Sequence, residues 1–175
     1  MTQVKLIDDE NRLKYAMQAI LETENILHQQ DSRMALDYAK WKWKKAEIKF
    51  VCKPKELFIL NNQIYWAHLG INIGSEQSFD RPVLIVRTTK NSTVCTVIPL
   101  TLERVNDDIP YHINLENGKS VALIEQIRTI SKDRIYDYHY ENQKYATITG
   151  SDWAKINEQL TNLYTLKPLF NKTKQ

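Results

Sequence analysis

Residues 82–101, PVLIVRTTKNSTVCTVIPLT, contain two apolar runs separated by the polar link TKNS (89–92). Pro82 to Thr88 and Thr93 to Leu100 are rich in Val, Ile and Thr, side chains that suit a pleated, half-buried backbone. Two antiparallel strands joined by a hairpin are predicted.

The same pattern extends outward from this pair. Ile64 to Leu69 precedes it, and Tyr111 to Leu115, Ser120 to Ile124 and Gln126 to Ser131 follow. Between the fourth and fifth runs lies ENGK (116–119), whose Asn117 and Gly118 form the strongest short hairpin signal. Six short strands at close spacing predict a small antiparallel barrel. YDYHYENQKY (136–145) is rich in tyrosine and reads as a further hairpin or an ordered loop. Thr149, Gly150, Ser151 and Asp152 can cap a final helix whose apolar face is Trp153, Ile156, Leu160, Leu163 and Tyr164.

Upstream the period changes. From Glu10 to His28 the apolar residues Leu13, Ala16, Met17, Ile20, Leu21 and Leu27 recur at helical spacing, unbroken by Gly or Pro. Asp31 or Ser32 can cap a second helix running to about Phe50, and the Pro54 region ends it. The expected organisation is an α+β chain: a helical hairpin over residues 1–60, then a barrel domain with its C-terminal helix over 61–170. The chain between Lys53 and Asn62 is the linker.

Composition narrows the functional classes. A chain of 175 residues, 42% hydrophobic and 26% charged, is long enough for a sizeable core and is not disordered as a whole. Cys52 and Cys95 form no CxxC pair, which points to a reducing compartment and away from zinc ribbons and disulfide frameworks. No apolar run approaches a membrane span, so a cytoplasmic location is expected. Net charge is +3, unevenly placed: residues 1–39 carry four basic and seven acidic side chains, residues 40–55 seven Lys and one Glu, and the remainder thirteen of each.

Phosphate-binding glycine loops are absent, since Gly70 and Gly74 fit neither known spacing. His28, His68, His112 and His139 show no metal-ligand spacing, and no metal or other cofactor is expected. A pair such as His112 with His139 has the chemistry to act as acid and base, although packed or surface roles explain each alone.

The segment GINIGSEQSFDRPVLIV (70–86) delivers Arg81 to the mouth of a strand. Its planar fork matches two phosphate oxygens and stays charged at any working pH. Pairing with Glu76 or Asp80 as a structural clamp explains it equally well. Thr101 ends the run IPLT (98–101), where Pro99 is expected to stop the ladder and an accessible hydroxyl precedes the charged loop LERVNDDIP. Glu125, Gln126 and Arg128 offer donors and acceptors suited to base edges, or to solvent.

The order GSEQ (74–77), RPVLIV (81–86), PLT (99–101) and SVALIEQIRTISKDRI (120–135), followed by a helix, resembles the MazF/PemK family of toxin endoribonucleases over residues 62 to 165. The resemblance implies an SH3-like barrel that forms a homodimer and cleaves single-stranded RNA at short sequences without a metal. It implies catalytic roles for Arg81 and Thr101. Ser75, Glu76, Gln77, Gln126 and Arg128 would line the RNA groove. It also implies a cognate antitoxin. Proteins similar to CcdB share the barrel and inhibit DNA gyrase, which leaves a non-catalytic binding protein as the alternative.

RNA carries its own nucleophile, the 2′-hydroxyl. Arg81 is expected to bind the phosphate and stabilise developing charge, with Thr101 as a second donor. Glu76 is the first candidate base, or else it orients Arg81. The products would be a 2′,3′-cyclic phosphate and a 5′-hydroxyl. For the segment AKWKWKKAEIKFVCKPK (39–55), phosphate contacts by lysines with stacking by Trp41 or Trp43 compete with a purely structural role.

Overall fold

The computed structural model describes residues 5–51 and 57–166. Cys52, Lys53, Pro54 and Lys55, on which part of the expected basic segment and linker falls, lie outside the described residues. The chain divides into two compact units, Met1–Glu47 and Ile48–Gln175.

The first unit contains α1 (Glu10–Leu27) and most of α2 (Ser32–Phe50). Asp9 caps α1 by accepting from the Arg12 amide at 3.0 Å. Asp31 caps α2, its carboxylate accepting from the amides of Arg33 at 3.0 Å and Met34 at 3.2 Å, so the capping residue is Asp31 and not Ser32. Neither helix buries a residue; Met17, Ile20, Leu21, Met34 and Trp43 stay more than half exposed.

In the second unit β1 (Ile64–His68), β2 (Asp80–Arg87), β3 (Val94–Thr101), β4 (His112–Asn114), β5 (Val121–Leu123), β6 (Arg128–Ser131) and β7 (Ile135–Tyr138) form one antiparallel sheet in the order β4-β5-β3-β2-β1-β7, with β6 also paired to β3. The tyrosine-rich stretch supplies the end of β7 and a two-stranded hairpin, β8 (Tyr140–Glu141) and β9 (Lys144–Tyr145). The sheet is an open path, consistent with the expected barrel-like fold.

β3 is the hinge of this topology. One edge pairs with β2; the other pairs with β6 over Val94–Val97 and with β5 over Leu100–Thr101. Pro99 does not stop the ladder as expected. It sits inside β3 where the outer partner changes, so its missing N–H falls where neither neighbour requires a donor. A bulge in β2 also departs from regular pairing: Ile85 faces Val97 but Arg87 faces Thr96, leaving Val86 as the extra residue.

The central strands are buried on both faces, which accounts for their unbroken apolar runs. One face gathers Ile64, Leu84, Ile98, Leu100, Leu115, Ala122 and Ile124 beneath Ile156 of α3 (Gly150–Tyr164). The other gathers Tyr65, Ala67, Val83, Ile85, Cys95, Val97, Ile130 and Ile135. Thr149 caps α3 in a capping box with Asp152. Trp153, expected on the buried side of that helix, is half exposed.

Candidate functional site

Arg81 and Thr101 lie at the ends of adjacent strands. β2 and β3 pair Leu84 with Ile98 and Val83 with Pro99. The same offset carried two residues further sets Arg81 opposite Thr101, with both side chains on the face that also bears Val83. Both residues border one cleft of about 180 Å³, lined also by Trp66, Asp80, Pro82, Leu100, Leu102, Glu103 and Ser120.

Thr101 is nearly buried, at 4% exposure. Its hydroxyl oxygen accepts from the Glu103 amide at 3.2 Å, which leaves the hydroxyl proton free to be donated elsewhere. Arg81 donates from Nε to the Ser78 carbonyl at 2.7 Å and forms no ion pair among the described residues. The alternative clamp to Glu76 or Asp80 is therefore not the arrangement seen. Asp80 pairs instead with His68, Oδ1 to Nδ1 at 2.6 Å, and the His68 ring stacks on Tyr136 at 4.2 Å.

Loop 70–79 folds back at the same end of the sheet. Gly74 adopts φ +59° in its turn, and the loop base closes through the Leu69 amide to the Phe79 carbonyl at 3.0 Å. Gln126 clasps the loop from below: its Oε1 accepts from the Gln77 amide at 3.1 Å, and its Nε2 donates to the Ser75 carbonyl at 3.3 Å. Arg128 Nη2 donates to the Gln77 carbonyl at 3.1 Å. Ser75, Gln77, Gln126 and Arg128, separated by some fifty residues, thus meet. Gln77 Oε1, by contrast, is buried with no hydrogen-bond partner among the described residues.

Glu76 is exposed on this loop and is not among the cleft residues. Burial lowers the pKa of Arg128, and the charge of Glu76 acts in the opposite sense. Burial likewise lowers that of Arg134, followed by repulsion from Arg128, so the two guanidiniums form one cationic locus. Arg134 Nη1 also donates to the carbonyls of His68 and Leu69, at 3.2 and 2.9 Å.

Sequence reasoning missed Glu103 in the cleft and Arg134 beside Arg128. Glu103 had a signal, being two residues beyond Thr101; Arg134 had none, because it lies in the 3-10 turn after β6 and donates to the remote carbonyls of His68 and Leu69. His112 and His139, considered as a pair, each have separate partners: His112 meets Asp107 and Glu125, while His139 packs edge-on to Trp66 at 5.5 Å. No helix among the described residues is long and apolar enough to cross a membrane.

Comparison with known proteins identifies the family and the fold. Residues 61–164 match the family described as PemK-like, MazF-like toxin of type II toxin-antitoxin system. Endoribonuclease EndoA of Bacillus subtilis (strain 168) is 31% identical over 90 residues, covering 46% of this chain and 78% of that protein. Endoribonuclease MazF of Staphylococcus saprophyticus is 41% identical over 81 residues, covering 41% of this chain and 68% of that protein. The crystal structure of MazF (Form-I) from Deinococcus radiodurans superposes with a TM-score of 0.53 at 17% identity, covering 63% of this chain and all of that one, which shows the shared fold. The chain belongs to the PemK-like, MazF-like toxins of type II toxin–antitoxin systems.

Proposed function

We propose that this chain is an endoribonuclease that cleaves single-stranded RNA at short sequences, and that the cleft bordered by Arg81 and Thr101 is where it does so. The observation that supports this reading is that Arg81 and Thr101, on neighbouring strands, border one concave surface. The endoribonuclease names of the two relatives support it. Nothing observed favours the alternative of a non-catalytic binding protein. We assign the activity to residues 61–170 and leave the two helices upstream outside it.

The chemistry is an in-line transesterification. The 2′-oxygen forms a bond to phosphorus and the bond from phosphorus to the 5′-oxygen breaks, giving a 2′,3′-cyclic phosphate and a 5′-hydroxyl. The 2′-proton passes to a base, and the departing 5′-oxygen takes up a proton. Arg81 neutralises the charge that grows on the phosphoryl oxygens, and the Thr101 hydroxyl donates to the same oxygens. Glu76, chosen from the sequence, and Glu103, which borders the cleft, are the two carboxylates suited to receive the 2′-proton.

Ser75, Gln77, Gln126 and Arg128 shape the wall along which RNA lies, the base edges being read by groups freed when the loop adjusts. The family description supports an antitoxin partner, and we propose that two copies form the active homodimer in the cytoplasm. Incubation with a long unstructured RNA in the presence of a chelator of divalent ions tests the reaction. Cyclic-phosphate ends, lost with Arg81→Ala while the circular dichroism spectrum is retained, are expected; 3′-hydroxyl ends would exclude the mechanism.

A further inference from the structure

His112 in β4 has 3% of its side chain exposed and a carboxylate at each ring nitrogen: Nδ1 lies 2.7 Å from Asp107 Oδ2 and Nε2 3.2 Å from Glu125 Oε1. An ionised carboxylate only accepts hydrogen bonds, and a neutral imidazole has one N–H. Both contacts are hydrogen bonds only when the ring holds two protons. With both carboxylates ionised, the two contacts are complete only on a doubly protonated ring.

Charged and titratable groups around it come from four segments. Loop 102–110 brings Asp107, with Arg104 Nη1 at 4.0 Å from it. A 3-10 turn, Ile124–Gln126, brings Glu125. Tyr164 of α3 donates to the Ile124 carbonyl at 3.2 Å, and Tyr111 stands edge-on to the imidazole at 5.3 Å. Desolvation pulls the Asp107 carboxyl up, but hydrogen bonds from His112 and the Ile109 amide, with the charges of His112 and Arg104, outweigh it and hold the group below its ordinary range.

The two carboxylates sit on the two segments that frame the site. Loop 102–110 leaves β3 directly after Thr101 and carries Leu102 and Glu103 into the cleft wall. The 3-10 turn ends on Gln126, which holds loop 70–79 through Ser75 and Gln77. We propose that His112 is a positioning residue: as an imidazolium it clasps loop 102–110 to the turn at 124–126, and its deprotonation at rising pH releases one arm and loosens the cleft wall. Its consequence for catalysis rests on the RNA-cleaving reading above; the clasp itself does not.

Two measurements on the full chain without RNA test the clasp, and a third tests its use. Nitrogen-15 NMR of labelled histidine reports ring protonation, and amide hydrogen exchange reports residues 102–110. At pH 6 two ring protons and protected loop amides are expected. As the ring titrates, loop exchange, corrected for intrinsic rates, rises about tenfold or more, and Asp107→Ala shows the fast exchange already at pH 6. A neutral ring at pH 6, or loop protection unchanged across the titration, overturns the clasp. In the third measurement RNA cleavage declines over the same alkaline interval, and Asp107→Ala lacks that decline. A flat alkaline limb in active wild-type protein overturns the positioning role. Complete inactivity of wild-type protein whose clasp behaves as described would instead overturn the reading of the cleft.

Discussion

Tyr65 has no exposed surface, yet its hydroxyl organises the segment leading into the sheet. It accepts from the Leu60 amide at 2.9 Å, and its proton faces Gln63 Oε1 at 2.6 Å and the Phe58 carbonyl at 3.0 Å. Tyr65→Phe leaves the part-buried Leu60 amide and the facing acceptors without the hydroxyl, and a loss of ~1 kcal/mol is expected in urea denaturation. Cys95 illustrates burial without partners of comparable strength. Desolvation pushes its thiol up to about 11 against a weaker pull from Lys132, so the thiolate is scarce at pH 8. Iodoacetamide should modify the Cys95 peptide slowly in native protein and rapidly after denaturation, as read by mass spectrometry. For the proposed reaction, Glu76→Gln and Glu103→Gln separate the two candidate bases. The one that takes the proton loses about 100- to 10,000-fold in cleavage rate, and the other changes it little.

α3 is fastened to the sheet by a buried carboxylate. Asp152, at 2% exposure, accepts from the Thr149 amide at 3.1 Å and from the Glu116 amide at 3.0 Å, joining the helix start to the hairpin between β4 and β5. Asp152→Ala removes the reciprocal half of the capping box and leaves the Glu116 amide unpaired. A loss of ~2–3 kcal/mol in a denaturant titration is expected. This helix was legible because Thr149–Asp152 carries a local capping signature, as were β1 to β3 because their apolar runs are bounded by turns. What was not legible depended on remote pairing. Pro99 reads locally as a strand end, and only the exchange of β6 for β5 along β3 makes it tolerable. Trp153 follows the helical period, but a period cannot say how far a neighbouring sheet extends to cover it. Arg81 and Thr101 could be found as strand ends, whereas the Arg128–Arg134 locus arises only when β6 and the turn after it close on loop 70–79.

The chain's excess positive charge falls outside the part of the sequence that carries the cleft. Lys40, Lys42, Lys45 and Lys49 lie on α2, while the residues from 56 onward balance thirteen basic against thirteen acidic side chains. If α2 engages RNA, replacing those four lysines by glutamine lowers the logarithmic salt slope of binding by about 0.7 for each phosphate they had neutralised. An unchanged slope assigns attraction to the arginines of the sheet. Both apolar clusters of the second unit draw only on residues from Leu57 onward. A chain beginning at Ile48 is therefore expected to unfold cooperatively, with a urea midpoint close to that of the full chain. The extra residue in β2 has a consequence for the whole enzyme. Were the frame set at Arg87 and Thr96 to run on without Val86 stepping out of line, Pro82 rather than Arg81 would arrive across from Thr101, and the guanidinium would emerge on the far side of the sheet. A single-residue dislocation some five positions away thus decides which side chain stands across from Thr101.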